Sequence, residues 1–217
     1  MLKRMNYCDW RQDIFDTPPN IDPVFWELRD ETYRLSPGQT LDFIDQALVD
    51  PAIPQLFTKE QIGIGLQLLF SNACGYAVFS YLETPDHQRK VTAIENLKYL
   101  YQNYFNPLCQ APVKWIGHDL DDGPIGYLCY MFWDIFVLYP GHPSISVEMT
   151  DAALTVMAEA LFFENDQVIV SALHGLGHWV SYVPEAQEII HQWQLQPTTQ
   201  NQAVLIYAHQ AWRGCVQ

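Results

Sequence analysis

Ser171-Ala172-Leu173-His174-Gly175-Leu176-Gly177-His178-Trp179 is the stretch whose reading decides the fold. Its apolar residues fall at helical spacing. It also carries two glycines and two histidines inside little more than two turns. A glycine in a helix interior costs about 1 kcal/mol relative to alanine, so two of them imply a neighbour that approaches the backbone closely. One reading is the inner helix of a tightly packed helical array. The other is a paired-histidine metal site, because residues four apart share one helix face. The first is favoured: the residues between the histidines are Gly-Leu-Gly, with no glutamate to act as a general base, and a zinc site needs a third protein ligand that local spacing does not supply.

Working outward, Asn165-Asp166 reads as the start of this helix. Pro184 starts another through about Leu195, and a last helix follows Pro197-Thr198-Thr199 and ends near Arg213-Gly214. Upstream, Ile125 to Tyr139 is apolar nearly all round, which predicts a helix buried on most sides. Thr150-Asp151 is read as the cap of a helix to Phe163. In the N-terminal half, residues 1–20 read as irregular, with Trp10 and Phe15 available for packing. Asp22-Pro23 starts a helix to about Leu35, and Thr40 caps a second one. Thr58 to Gln61 fits a capping box for a helix running to about residue 82. From His87 to Phe105, Val91, Ile94, Leu97, Leu100, Tyr101 and Tyr104 form one apolar stripe. No stretch alternates as a strand does. The expectation is an all-α chain of about nine helices in a single domain, 1–217, divisible into a helical bundle at 1–110 and stacked repeats at 124–217.

Val168-Ile169-Val170-Ser171-Ala172 is echoed by Val204-Leu205-Ile206-Tyr207-Ala208, with a small residue three positions on in each, Gly175 and Ala211. An offset of this size suits helical repeats. The run from Asp166 to Gly177 resembles the second helix of a HEAT-type repeat, which opens with Asp and valine and carries Ala-Leu and Leu-Gly along its buried face. The usual basic residue after the first valine is replaced by Ile169. Tyr130-Met131-Phe132-Trp133-Asp134-Ile135 together with this motif also resembles certain uncharacterised bacterial proteins. The HEAT resemblance, confined to the C-terminal part, implies an α-α superhelix of stacked hairpins used as a protein-binding surface.

Charge narrows the partner. The net charge is −14. From Trp115 to Gln217 there are eleven acidic residues and one basic residue, Arg213. Such a field repels phosphate, which argues against nucleic acid and anionic membranes, and attracts a basic protein. No apolar run is long enough for a membrane span, and Met1 to Tyr7 lacks the apolar core of a signal peptide, so a cytoplasmic location is expected. The five cysteines form no Cys-x-x-Cys pair and are read as reduced thiols.

Three further groups bear on chemistry. Trp133-Asp134 places a carboxylate in an apolar helix, where it needs a partner; the readings are a buried helix-to-helix hydrogen bond or a pocket carboxylate facing His174. His118-Asp119-Leu120-Asp121-Asp122 reads as an acidic turn, lacking an EF-hand's remaining ligands. His118, Asp119 and His142 are the other conceivable metal ligands beside Asp134. No nucleophile signature or phosphate loop occurs. The expectation is therefore a non-enzymatic protein-binding scaffold for a basic partner, an immunity or adaptor protein, without a cofactor or catalytic residues. Its binding residues are Trp133, Asp134, His174, His178 and Trp179. The alternative is a metal-dependent hydrolase built on His174 and His178.

Overall fold

The described residues of the computed structural model are 5–18, 35–114 and 122–216, and they contain helices and no strand. The helix expected from Asp22, and His118 and Asp119, lie outside them. The helices are α1 (Tyr7–Phe15), α2 (Pro37–Leu48), α3 (Ile53–Leu56), α4 (Lys59–Phe70), α5 (Ser80–Glu83), α6 (His87–Glu95), α7 (Leu97–Leu100), α8 (Asn106–Leu108), α9 (Gly123–Ile135), α10 (Val147–Ala160), α11 (Asp166–Trp179), α12 (Pro184–Leu195) and α13 (Gln202–Trp212).

Local chemistry accounts for the ends. Ser36 and Thr58 close capping boxes with Gln39 and Gln61, and Asn165 caps α11 by accepting from the Gln167 amide. Such caps satisfy amides that the helix itself leaves unpaired. Several expected boundaries are corrected. Residues 7–15 are helical rather than irregular, because the Asn6 side chain caps them. Ser36 rather than Thr40 caps α2, with Pro37 in its first turn. Ser146 rather than Thr150 caps α10; the Thr150 hydroxyl instead donates to the Ser146 carbonyl. The helix from Lys59 stops at Phe70 instead of continuing to residue 82. There Ser71 turns extended, and the Asn72 amide donates to the Ile135 carbonyl at 2.9 Å, tying the ends of α4 and α9 together. The stripe from His87 to Phe105 is split into α6, α7 and a π-helical turn, Tyr101–Phe105. The structure thus divides the chain more finely than nine long helices.

One hydrophobic core runs from Trp10 to Ala211. Helix α9 lies at its centre, packed on α4 and α11. Gly63 of α4 makes the first contact possible, since a Cβ there would sit 2.5 Å from the Ile125 amide nitrogen. Phe132 meets Phe70 at 5.7 Å and Phe105 at 5.9 Å between ring centroids, so aromatic packing joins the N-terminal helices to α9. Helix α11 packs against α9, α10, α12 and α13. All of its residues except Asp166 and His178 are buried.

The start of α11 is fastened by side chains. Asn165 donates to the carbonyls of Asn106 and Cys109. Gln167 donates to the Ala111 carbonyl. Asn201, the cap of α13, donates to Val113 and to Asp166. Asp122, just before α9, accepts from Lys59, Gln167 and the Ala111 amide. Burial alone would raise its pKa, but these donors hold its carboxyl below the ordinary value. Helices α4, α9, α11 and α13 are thereby locked in register around the residues described next.

Candidate metal centre

Asp134 lies in the last turn of α9, which packs on α11. Trp133, the residue before it, is driven inward and fixed. Its indole N–H donates to the Tyr101 hydroxyl at 2.8 Å, and its ring stands edge-on to Trp179 at 5.9 Å. Gly175 makes room for that ring: a Cβ there would fall 2.4 Å from Trp133 Cδ1. Gly177 likewise admits Val216, whose Cγ1 would lie 2.6 Å from an added Cβ, and the Ala211 backbone. The two glycines are thus where neighbours press against α11. With Trp133 seated against Gly175, the Asp134 side chain is brought onto the histidine face of α11.

The three polar groups converge. His174 Nε2 lies 2.9 Å from Asp134 Oδ2, and His178 Nε2 lies 2.9 Å from Asp134 Oδ1. The two Nε2 atoms are 3.2 Å apart. His174 has no side-chain exposure, Asp134 has 22% and His178 has 37%, so the cluster has a closed back and an open front. At the back, His174 Nδ1 is hydrogen-bonded to the Tyr207 hydroxyl of α13. Tyr207 lies 3.4 Å from the Tyr130 hydroxyl, and the Tyr130 ring packs 4.4 Å from the His174 ring. Burial pushes the Tyr207 hydroxyl well above its ordinary pKa, so it remains a neutral hydroxyl that can donate or accept. For Asp134, burial works to raise the pKa, but the hydrogen bonds and charges of His174 and His178 outweigh it and hold the carboxyl well below the usual carboxylate range.

Protons can satisfy the contacts to Asp134, each imidazole donating from Nε2 to its own carboxylate oxygen; the two nitrogens, 3.2 Å apart, then do not bond each other. A cation would engage all of them together, because it takes a lone pair from each of the three groups at once. The spacing suits one. Ligand bonds of about 2.1 Å place neighbouring donor atoms about 3.0 Å apart in octahedral geometry and about 3.4 Å apart in tetrahedral geometry. The 3.2 Å between the imidazole nitrogens falls in that range, and the two 2.9 Å contacts, each to a different oxygen of Asp134, lie just under it. The outer hydrogen bond that a ligating histidine needs on its far nitrogen is present as Tyr207.

The expected binding residues therefore separate into two groups. Asp134, His174 and His178 meet. Trp133 and Trp179 are 4% and 2% exposed and belong to the core behind the site, not to a binding surface. His142 is exposed and its Nδ1 accepts from the Ser144 amide; it is not in the cluster, which among the described residues is the one group of three metal-ligating side chains. Tyr207 and Tyr130 were not singled out by the sequence. The signal available was the alignment of Tyr207 with Ser171 in the internal echo, which places it on the inner face of its helix. Comparison with known proteins gives no further guide: no family, no curated protein and no solved structure matches the chain.

Proposed function

We propose that the chain is a metalloprotein in which Asp134, His174 and His178 hold one divalent transition-metal ion for hydrolytic chemistry, on a scaffold of HEAT-like stacked helical hairpins. The observation that carries this is the convergence of His174 Nε2 and His178 Nε2, 3.2 Å apart, on the Asp134 carboxylate, each 2.9 Å from its own oxygen. Two imidazoles and one carboxylate suit zinc, iron, manganese, cobalt or nickel. Asp134, His174 and His178 would hold the ion as three protein ligands, with Asp134 and His178 on the solvent-exposed side of the site. The chemistry such an ion would supply is acidification of a water for attack on an ester or phosphoester near neutral pH, which would not require the missing glutamate.

The test is metal content. Chelated protein reloaded with zinc, manganese, iron(II) or cobalt(II) and desalted retains about one equivalent of one of them, and the cobalt form shows visible d–d bands. H178A, made at a half-exposed position, loses both. A metal at one hundred times its Kd stabilises by about 2.7 kcal/mol, which at about 2–4 °C per kcal/mol raises Tm by about 5–11 °C. Chelator-sensitive hydrolysis of p-nitrophenyl acetate or bis(p-nitrophenyl) phosphate tests the chemistry. Failure of every metal to bind wild-type protein refutes the reading.

A further inference from the structure

A second surface stands apart from this centre. Helix α10 uses its other faces to pack on α6, α7, α11 and α12. The remaining face carries Asp151, Thr155, Ala158 and, just past the helix end, Phe162. Their spacing of four, three and four residues keeps them on one side. With Ile189 of α12 they border an open groove of about 430 Å³ floored by Leu154. Phe162 is 70% exposed on its rim. A lone exposed apolar residue is ordinary, but here it adjoins an apolar floor at a helix–helix junction. The charges around it have one sign: Asp151 and Glu159 line the groove, and no base does.

We infer that this groove docks an amphipathic helix of another protein, with apolar residues on one face and lysine or arginine along its flanks. Phe162, Leu154, Ala158 and Ile189 receive the apolar face, in the manner of helix-in-groove recognition. Asp151 and Glu159 pair with the basic flanks. Charge selects this occupant over a second copy of the chain. A copy brings the same acidic half, with eleven acids and one base between Trp115 and Gln217, and like charges repel at an interface. The groove is independent of the metal centre, so either can fail alone.

The probe is a labelled synthetic peptide with leucines at helical spacing and lysines on both flanks, followed by fluorescence anisotropy. Its control is a scrambled peptide of identical composition that cannot form one apolar face. The helical peptide binds wild-type protein at least tenfold more tightly than the scrambled one. F162S, at an exposed position that the fold does not need, weakens binding at least tenfold, the scale of losing one buried aromatic anchor. D151K with E159K weakens it further and flattens its dependence on salt. The inference is overturned if the scrambled peptide binds equally, if F162S binds as wild type, or if the groove instead mediates self-association that F162S abolishes while the peptide fails to bind.

Discussion

Replacing Gly175 by alanine sets two known effects against each other. Helix propensity favours alanine by about 1 kcal/mol. The structure opposes it, because the new Cβ would lie 2.4 and 2.5 Å from two Trp133 ring atoms and 2.8 Å from Met157 Sδ. The methionine can move. The indole cannot easily do so, being hydrogen-bonded to Tyr101 and edge-on to Phe132, Phe136 and Trp179. Overpacking a core costs about 1–3 kcal/mol, and a rigid ring places this case at the upper end. The net loss is then about 2 kcal/mol, or about 4–8 °C in Tm for a chain of this length. The ring also sits one residue from Asp134, so its displacement shifts the carboxylate and weakens metal binding. Thermal denaturation followed by circular dichroism measures the first effect and metal titration the second. Gly38 is the control, as a Cβ there meets nothing within 4 Å; G38A leaves stability unchanged or raises it by up to about 1 kcal/mol. A G175A protein as stable as wild type, or more so, would refute the packing argument.

Y207F removes the partner of His174 Nδ1 while leaving all three ligands in place; metal affinity falls about 10- to 100-fold, measured by competition with a chromophoric chelator, and metal-free stability falls by about 1–3 kcal/mol from the unsatisfied buried nitrogen. D122N tests the latch between α4, α9 and α11. The Asp122 carboxyl has a lowered folded pKa, so its contribution is fully present above the unfolded value of about 3.9 and is lost as pH falls through the folded one. Chemical denaturation should show D122N less stable than wild type by about 1.5–3 kcal/mol at neutral pH, with the gap closing on acidification below about pH 4; a gap that persists unchanged at low pH contradicts the ionic origin.

How much of this was legible in the sequence follows the range of the interactions. The start at Thr58 with Gln61, an oxygen-bearing side chain and its partner three residues on, is encoded within one turn and read correctly, whereas the equally local box of Ser36 with Gln39 was passed over for Thr40. The cap of α10 was misread because Ser146 and Thr150 are both competent, and which one starts the helix depends on how Met149 and Ala153 reach the core. The break after Phe70 was illegible because the apolar pattern continues past it, while the cause is a hydrogen bond to Ile135, far along the chain.

The candidate site divides in the same way. The sequence by itself determined an all-helical chain, the shared face of His174 and His178, and the need for close neighbours at Gly175 and Gly177, since periodicity and glycine cost act within a few residues. Only the tertiary structure decided that Asp134, 40 residues away, meets both histidines, that Tyr207, 33 residues away, closes the back, and that the two tryptophans are core. Those outcomes depend on where α9 and α13 cross α11, which is set by how Trp133, Val216 and Ala211 fit against two missing side chains. The glycines that first argued for packing alone are also what brings the carboxylate to the histidines.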